Sequence, residues 1–147
     1  MPENFGLANR FHVEVGGLDL GHWATCKGLE VEFKTDELMS GAVYDEPLLF
    51  PTRLAYKDIE LTRAMSTVSS TAMFAWLNAN ALQWKLSPEF CIGLPAEIVL
   101  FDASYEPIFA WTLPQVCPKA WKGPQFDANT ANVATETLVL THTGFLL

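Results

Sequence analysis

The chain has 147 residues, of which 50% are hydrophobic and 18% charged, with a formal net charge of −8. That length suits one domain with a sizeable core, and the apolar fraction excludes disorder. Nine Lys and Arg against 17 Asp and Glu exclude direct nucleic-acid readout, which needs clustered cations.

The N-terminal MPENFGLANRF lacks the basic and apolar regions of a secretory signal, so a cytoplasmic location is expected. No run of about 18 apolar residues follows, so no membrane anchor is expected. Phe11, Val13 and Val15 alternate with His12 and Glu14, the period of a strand with one buried face. Gly16-Gly17 and Asp19-Leu20-Gly21 read as the turn after it. A second strand begins near His22 and is clearest over Leu29 to Phe33, with Leu29, Val31 and Phe33 on one face and Glu30 and Glu32 on the other.

From Lys34 to Thr52 the alternation fails. Turn residues mix there with Tyr44, Leu48, Leu49 and Phe50, which are too apolar for a wet loop. This segment reads as an extended hairpin arm in need of an apolar partner, or as a flap folded back over its own core. Strand character returns over Tyr56 to Thr62.

Ser66 to Leu82 is the one persuasive helix. Ser69 or Ser70 can cap it, and Met73, Trp76, Leu77 and Ala81 share a face. Pro88 and Gly93-Leu94-Pro95 break the chain. Strands then follow at Ala96 to Phe101 and Ile108 to Leu113, a Pro-Lys corner begins near Pro118, and a last strand spans Ala134 to Thr141. The sum is a single mainly β domain over 1–147: an antiparallel β-sandwich or barrel, one flanking α-helix and the long arm at 34–52.

Chemistry is sparse. His12, His22 and His142 fall in separate strands without metal-ligand spacing, so no metal or cofactor is expected. Cys26, Cys91 and Cys117 are odd in number and scattered, which suits buried reduced thiols. Glu30/Glu32 and Asp58/Glu60 have the spacing of paired carboxylates, but they occupy the polar side of two-faced strands. Trp76 and Trp111 fit apolar faces, whereas Trp84 and Trp121 lie near turns and suit interfaces. An enzyme is not expected.

The order of short motifs resembles the inner tube proteins of contractile injection systems and the tail tube family of T4-type contractile phages. The likeness runs from Phe11-x-Val-x-Val through Gly28-Leu29-Glu-Val31, Asp58-Ile-Glu-Leu61 and Val99-Leu-Phe-Asp102. It is most specific in Pro118-Lys119, Gly123-Pro124, Asn132-Val-Ala, Glu136 and His142-x-Gly144. The resemblance implies six copies per ring, with rings stacked into a hollow tube inside a contractile sheath. Its partners would be other copies, the sheath protein, and baseplate, spike and cap proteins, with protein cargo passing through the lumen. Tyr44, Leu48, Leu49 and Phe50 would then stack rings, and Glu30, Glu32, Asp58 and Glu60 would line an acidic lumen. The competing expectation is a monomeric β-barrel that binds a small ligand.

Overall fold

The computed structural model describes residues 4–38, 48–86, 93–129 and 131–146. Tyr44, Pro88 and Cys91 lie outside them. Along the chain come β1 (Phe11–Val15), β2 (Leu18–His22), β3 (Thr25–Lys27), β4 (Val31–Leu38), β5 (Leu48–Tyr56), β6 (Ile59–Ala64), α1 (Thr67–Leu86), β7 (Leu94–Phe101), β8 (Pro107–Lys122) and β9 (Thr135–His142).

Seven strands make one antiparallel sheet in the order β2-β1-β7-β8-β9-β6-β3, and β4 pairs with β5 in a separate ribbon. The two edge strands, β2 and β3, are consecutive in sequence, with only Trp23 and Ala24 between them. A sheet whose opposite edges are joined by two residues must curl on itself. Its inner face therefore forms a core in which Val13, Val15, Leu20, Ile59, Leu61, Leu113 and Leu138 are fully buried. The mainly β barrel with one helix agrees with the sequence reading.

The alternating residues of β1 do face the core. Helix α1 presents Ser70, Met73 and Trp76 to it, a stripe at three-residue spacing. Its cap is Ser66, not Ser69 or Ser70: Ser66 Oγ accepts from the Ser69 N–H at 3.3 Å, and Ser70 Oγ accepts from the Ser66 N–H at 3.1 Å.

Several expectations need correction. Asp19 to Gly21 is part of a strand. The turn is confined to Gly16-Gly17, both at positive φ, the conformation that a two-residue hairpin requires. Phe33 is 67% exposed, because β4 leaves the sheet and pairs only with β5. The Pro-Lys corner is continuous strand, and β8 passes it through a register shift between Pro118 and Ala120. Trp111 is half-buried against the core instead of enclosed by it. Cys117 is disulfide-bonded and Cys26 is free, so the reading of three reduced thiols fails.

Where β3–β6 pairing gives way to the β4–β5 ribbon, Gly28 sits at φ +92 and crosses Asp58. A Cβ there would lie 1.9 Å from the Asp58 carbonyl oxygen. Gly28→Ala should therefore destabilise by about 2 kcal/mol or more, read by urea titration. An unchanged midpoint would show that the crossing has room for a side chain.

Deeper in the fold, the Arg63 Nε–H donates to Glu136 Oε1 at 2.8 Å, and both side chains are buried. Glu136→Gln should cost roughly 3–5 kcal/mol, since it strands a buried guanidinium, while Arg63→Met with Glu136→Leu should cost far less. Equal losses in the two variants would refute the pairing as the cause.

Candidate assembly surfaces

The β4–β5 ladder runs from Val31↔Tyr56 to Leu38↔Leu48, with a register shift beside Lys34. There Thr52 Oγ1 donates to the Lys34 carbonyl at 3.0 Å. Nine residues of β5 at about 3.3 Å each give a ribbon of about 30 Å. Leu48, Leu49 and Phe50 are 50%, 61% and 46% exposed, so their own core does not cover them. The root is held more firmly. Tyr56 packs edge-on against His142 and Phe145, with centroids at 5.6 and 5.2 Å, and His142 Nε2 donates to the Lys57 carbonyl at 2.8 Å.

The four carboxylates singled out in the sequence do not form a bare acidic wall. Glu30 pairs with Lys57 at 3.1 Å, Glu32 with Lys34 at 3.1 Å and Asp58 with Lys119 at 2.6 Å. The Lys119 hydrogen bond holds the Asp58 carboxyl below its ordinary pKa. Glu60 is half-buried on the sheet face opposite Ile59 and Leu61. Beside it on that face, Thr62 Oγ1 meets Thr137 Oγ1 at 3.2 Å.

A second acidic row escaped the sequence reading, because only strand register assembles it. Glu14 is the cross-strand partner of both Asp19 and Glu97. Asp19 accepts from His12 Nε2 at 2.5 Å, and the His12 and His22 rings lie 5.3 Å apart. Burial raises the Asp19 pKa, but the Gly21 N–H and His12 outweigh it, so the carboxyl sits below its usual value. His142 is far from this pair, at the root of the ribbon. Among the described residues no group of three or more His, Cys, Asp or Glu is arranged to hold a metal. Burial pushes the Cys26 thiol up to about 11, which makes it a poor nucleophile.

The sequence also gave no sign of a groove where α1 meets β8. Two cavities of about 340 and 270 Å³ share Trp84, Pro118 and Lys119 in their walls. Trp84 is 63% exposed. Trp121, expected at an interface, is half-buried and packs edge-on against Phe74, with centroids at 4.7 Å.

The fold is shared with solved structures. One is the extended-state sheath–tube complex of the PVC extracellular contractile injection system, with a TM-score of 0.74, 20% identity, and 95% of this chain and 88% of that chain covered. Another is the PVC sheath/tube terminator, with a TM-score of 0.76, 21% identity and 97% and 95% covered. The anti-feeding prophage tube-terminating cap gives a TM-score of 0.76, 20% identity and 97% and 89% covered. No curated protein matches the sequence. The sequence signature of the family described as T4-like virus tail tube protein gp19 matches residues 7–146. The chain therefore belongs to the T4-like virus tail tube protein family, a family of structural proteins and not of enzymes.

Proposed function

We propose that the chain is the building block of the inner tube of a contractile injection system or phage tail. Six copies close into a ring, rings stack into a hollow tube, and contraction of a surrounding sheath drives that tube forward with its cargo. Baseplate, spike and cap proteins close the ends. Assembly takes place in the cytoplasm, and the tube leaves as part of a virion or a released particle.

Beyond family membership, the carrying observation is the β4–β5 ribbon, which projects Leu48, Leu49 and Phe50 away from the core. Burying such side chains is worth about 1.5–3 kcal/mol each, so a partner surface stabilises them strongly. In this reading residues 34–52, including Tyr44, stack one ring on the next. The rival ligand-binding barrel is disfavoured because Leu20, Trp23, Leu61 and Leu138 fill the interior. Negative-stain microscopy of purified protein separates the two, with rings or tubes supporting the tube and single small particles supporting the rival.

Replacing 34–52 with a short Gly-Ser turn should leave a folded subunit that forms rings but no long tubes. Long tubes from that variant would place the stacking surface elsewhere.

The lumen in this reading is lined by Glu30, Glu32, Asp58 and Glu60. Their lysine partners temper the negative charge, giving a polar wall that does not grip a moving load. A density map of the tube checks this directly, and carboxylates facing the sheath would refute it. Lys119→Met should return the Asp58 pKa toward its ordinary value. The pair stabilises the fold above the unfolded-state pKa and is lost as pH falls through the folded one. The variant should thus lose less stability on acidification than the parent, and equal acid sensitivity would show that the pair is absent in solution.

A further inference from the structure

The His142-x-Gly144 motif holds a histidine whose two ring nitrogens are both committed. The Gly144 backbone N–H donates to Nδ1 at 3.1 Å, and a backbone N–H can only donate, so that nitrogen carries no proton. The ring proton therefore sits on Nε2, which donates it to the Lys57 carbonyl at 2.8 Å. These two bonds tie the end of β9 to the root of the β4–β5 ribbon, and both are made together only by the neutral ring. We propose that His142 is a pH-sensitive clamp, closed on the ribbon root when neutral and opened by protonation at Nδ1. The clamp concerns the root alone and holds whatever surface the tip of the ribbon meets.

Protonation removes an acceptor without supplying another. An imidazolium has two donors and no acceptor, so a proton on Nδ1 would point at the Gly144 N–H. Gly144 is buried, and water reaches its N–H only if the segment moves. Packing sets what moves with it. The Tyr56 ring of β5 lies edge-on against both His142 and Phe145, and the His142 and Phe145 rings are 6.2 Å apart. Turning the imidazole away from Gly144 thus disturbs the aromatic cluster on which the ribbon rests.

The charged groups around the ring do not rescue the protonated form. Val116 faces His142 across the β8–β9 ladder, and Lys119, further along β8, shares a cavity wall with His142 and opposes a second cation there. From α1 the same wall receives only the uncharged Trp84. Asp58, between β5 and β6, would attract a cation, but Lys119 already holds it at 2.6 Å. The Lys119 hydrogen bond dominates the lowering of the Asp58 pKa, and His142 contributes least to it. Lys57 turns its ammonium to Glu30 at 3.1 Å. The open root takes up a proton that the closed root refuses, so closure is favoured as pH rises and lost as pH falls.

Hydrogen exchange tests the clamp, read over peptides covering 53–57 and 142–146 and corrected for the intrinsic pH dependence of exchange. Between about pH 7.5 and 5 imidazoles titrate, while Asp58, held below its ordinary pKa, stays ionised. Across that range protection of both segments should fall about tenfold, the loss of one hydrogen bond. His142→Gln offers the Lys57 carbonyl a donor that does not titrate, and it should keep its protection. His12→Gln with His22→Gln should show the same fall as the parent.

Unchanged protection in the parent would overturn the clamp, and so would an equal fall in His142→Gln. A double variant that no longer responds would assign the effect to β1 and β2 and overturn it too. That double variant leaves His142 as the sole histidine, so nitrogen NMR spectra of its labelled ring read the tautomer directly. They should place the proton on Nε2 at neutral pH. A proton on Nδ1, or on both nitrogens, would overturn the clamp even if His142→Gln failed to fold.

Discussion

A single guanidinium ties this fold together. Arg63, on β6, donates to Glu136 on β9, to the Leu20 carbonyl on β2 and to the Ser69 carbonyl on α1, and it stacks 3.8 Å from the centroid of the Trp23 ring. Those partners come from both ends of the seven-stranded sheet and from the helix that lies over it. Arginine suits this post because its fixed fork of donors reaches several acceptors at once without losing its charge. A buried pair of this sort adds little net stability over an apolar substitute, but it penalises any arrangement that leaves one partner alone. Its contribution is to fix which strands meet.

With the sheet curled on itself, the chain has little freedom left in where it places apolar surface. Core positions are taken by residues from every strand of the large sheet, so β4 and β5 can only project. Among the described residues their side chains are largely exposed, and the ribbon is held through its ladder and its root at Tyr56, His142 and Phe145. The exposed end of α1 is the complementary case. Leu77 packs on the core, yet Leu82, Trp84 and Leu86 are exposed.

Local pattern and long-range contact were not equally readable. The alternation in β1 and the three-residue spacing of Met73 and Trp76 report burial directly, so these elements were legible. Prolines misled the reading of β8, because Pro114 and Pro118 look like breakers. In the structure both lie at register shifts, where an absent N–H costs no ladder bond. Pro51 does the same in β5. Asp19 and Gly21 hid β2 in a similar way. For the candidate sites, the exposed apolar run at 48–50 was visible as a break in pattern. The lysine partners of Glu30 and Asp58, the row of Asp19, Glu14 and Glu97, and the groove at Trp84 all depend on contacts between distant segments, which no local spacing encodes.

Joining the first and last members of the sheet through Trp23 and Ala24 also sets an order for biosynthesis. β9 lies between β8 and β6, so the half-sheet β2-β1-β7-β8 and the pair β6-β3 cannot be united until residues 135–142 have emerged. Until then a growing chain carries two open edges, tethered close together by a two-residue link and each able to recruit a foreign strand. Loss of β9 would thus leave the sheet in two separate pieces with the wall between them missing. Closure of the barrel therefore waits on β9, however early the other strands form.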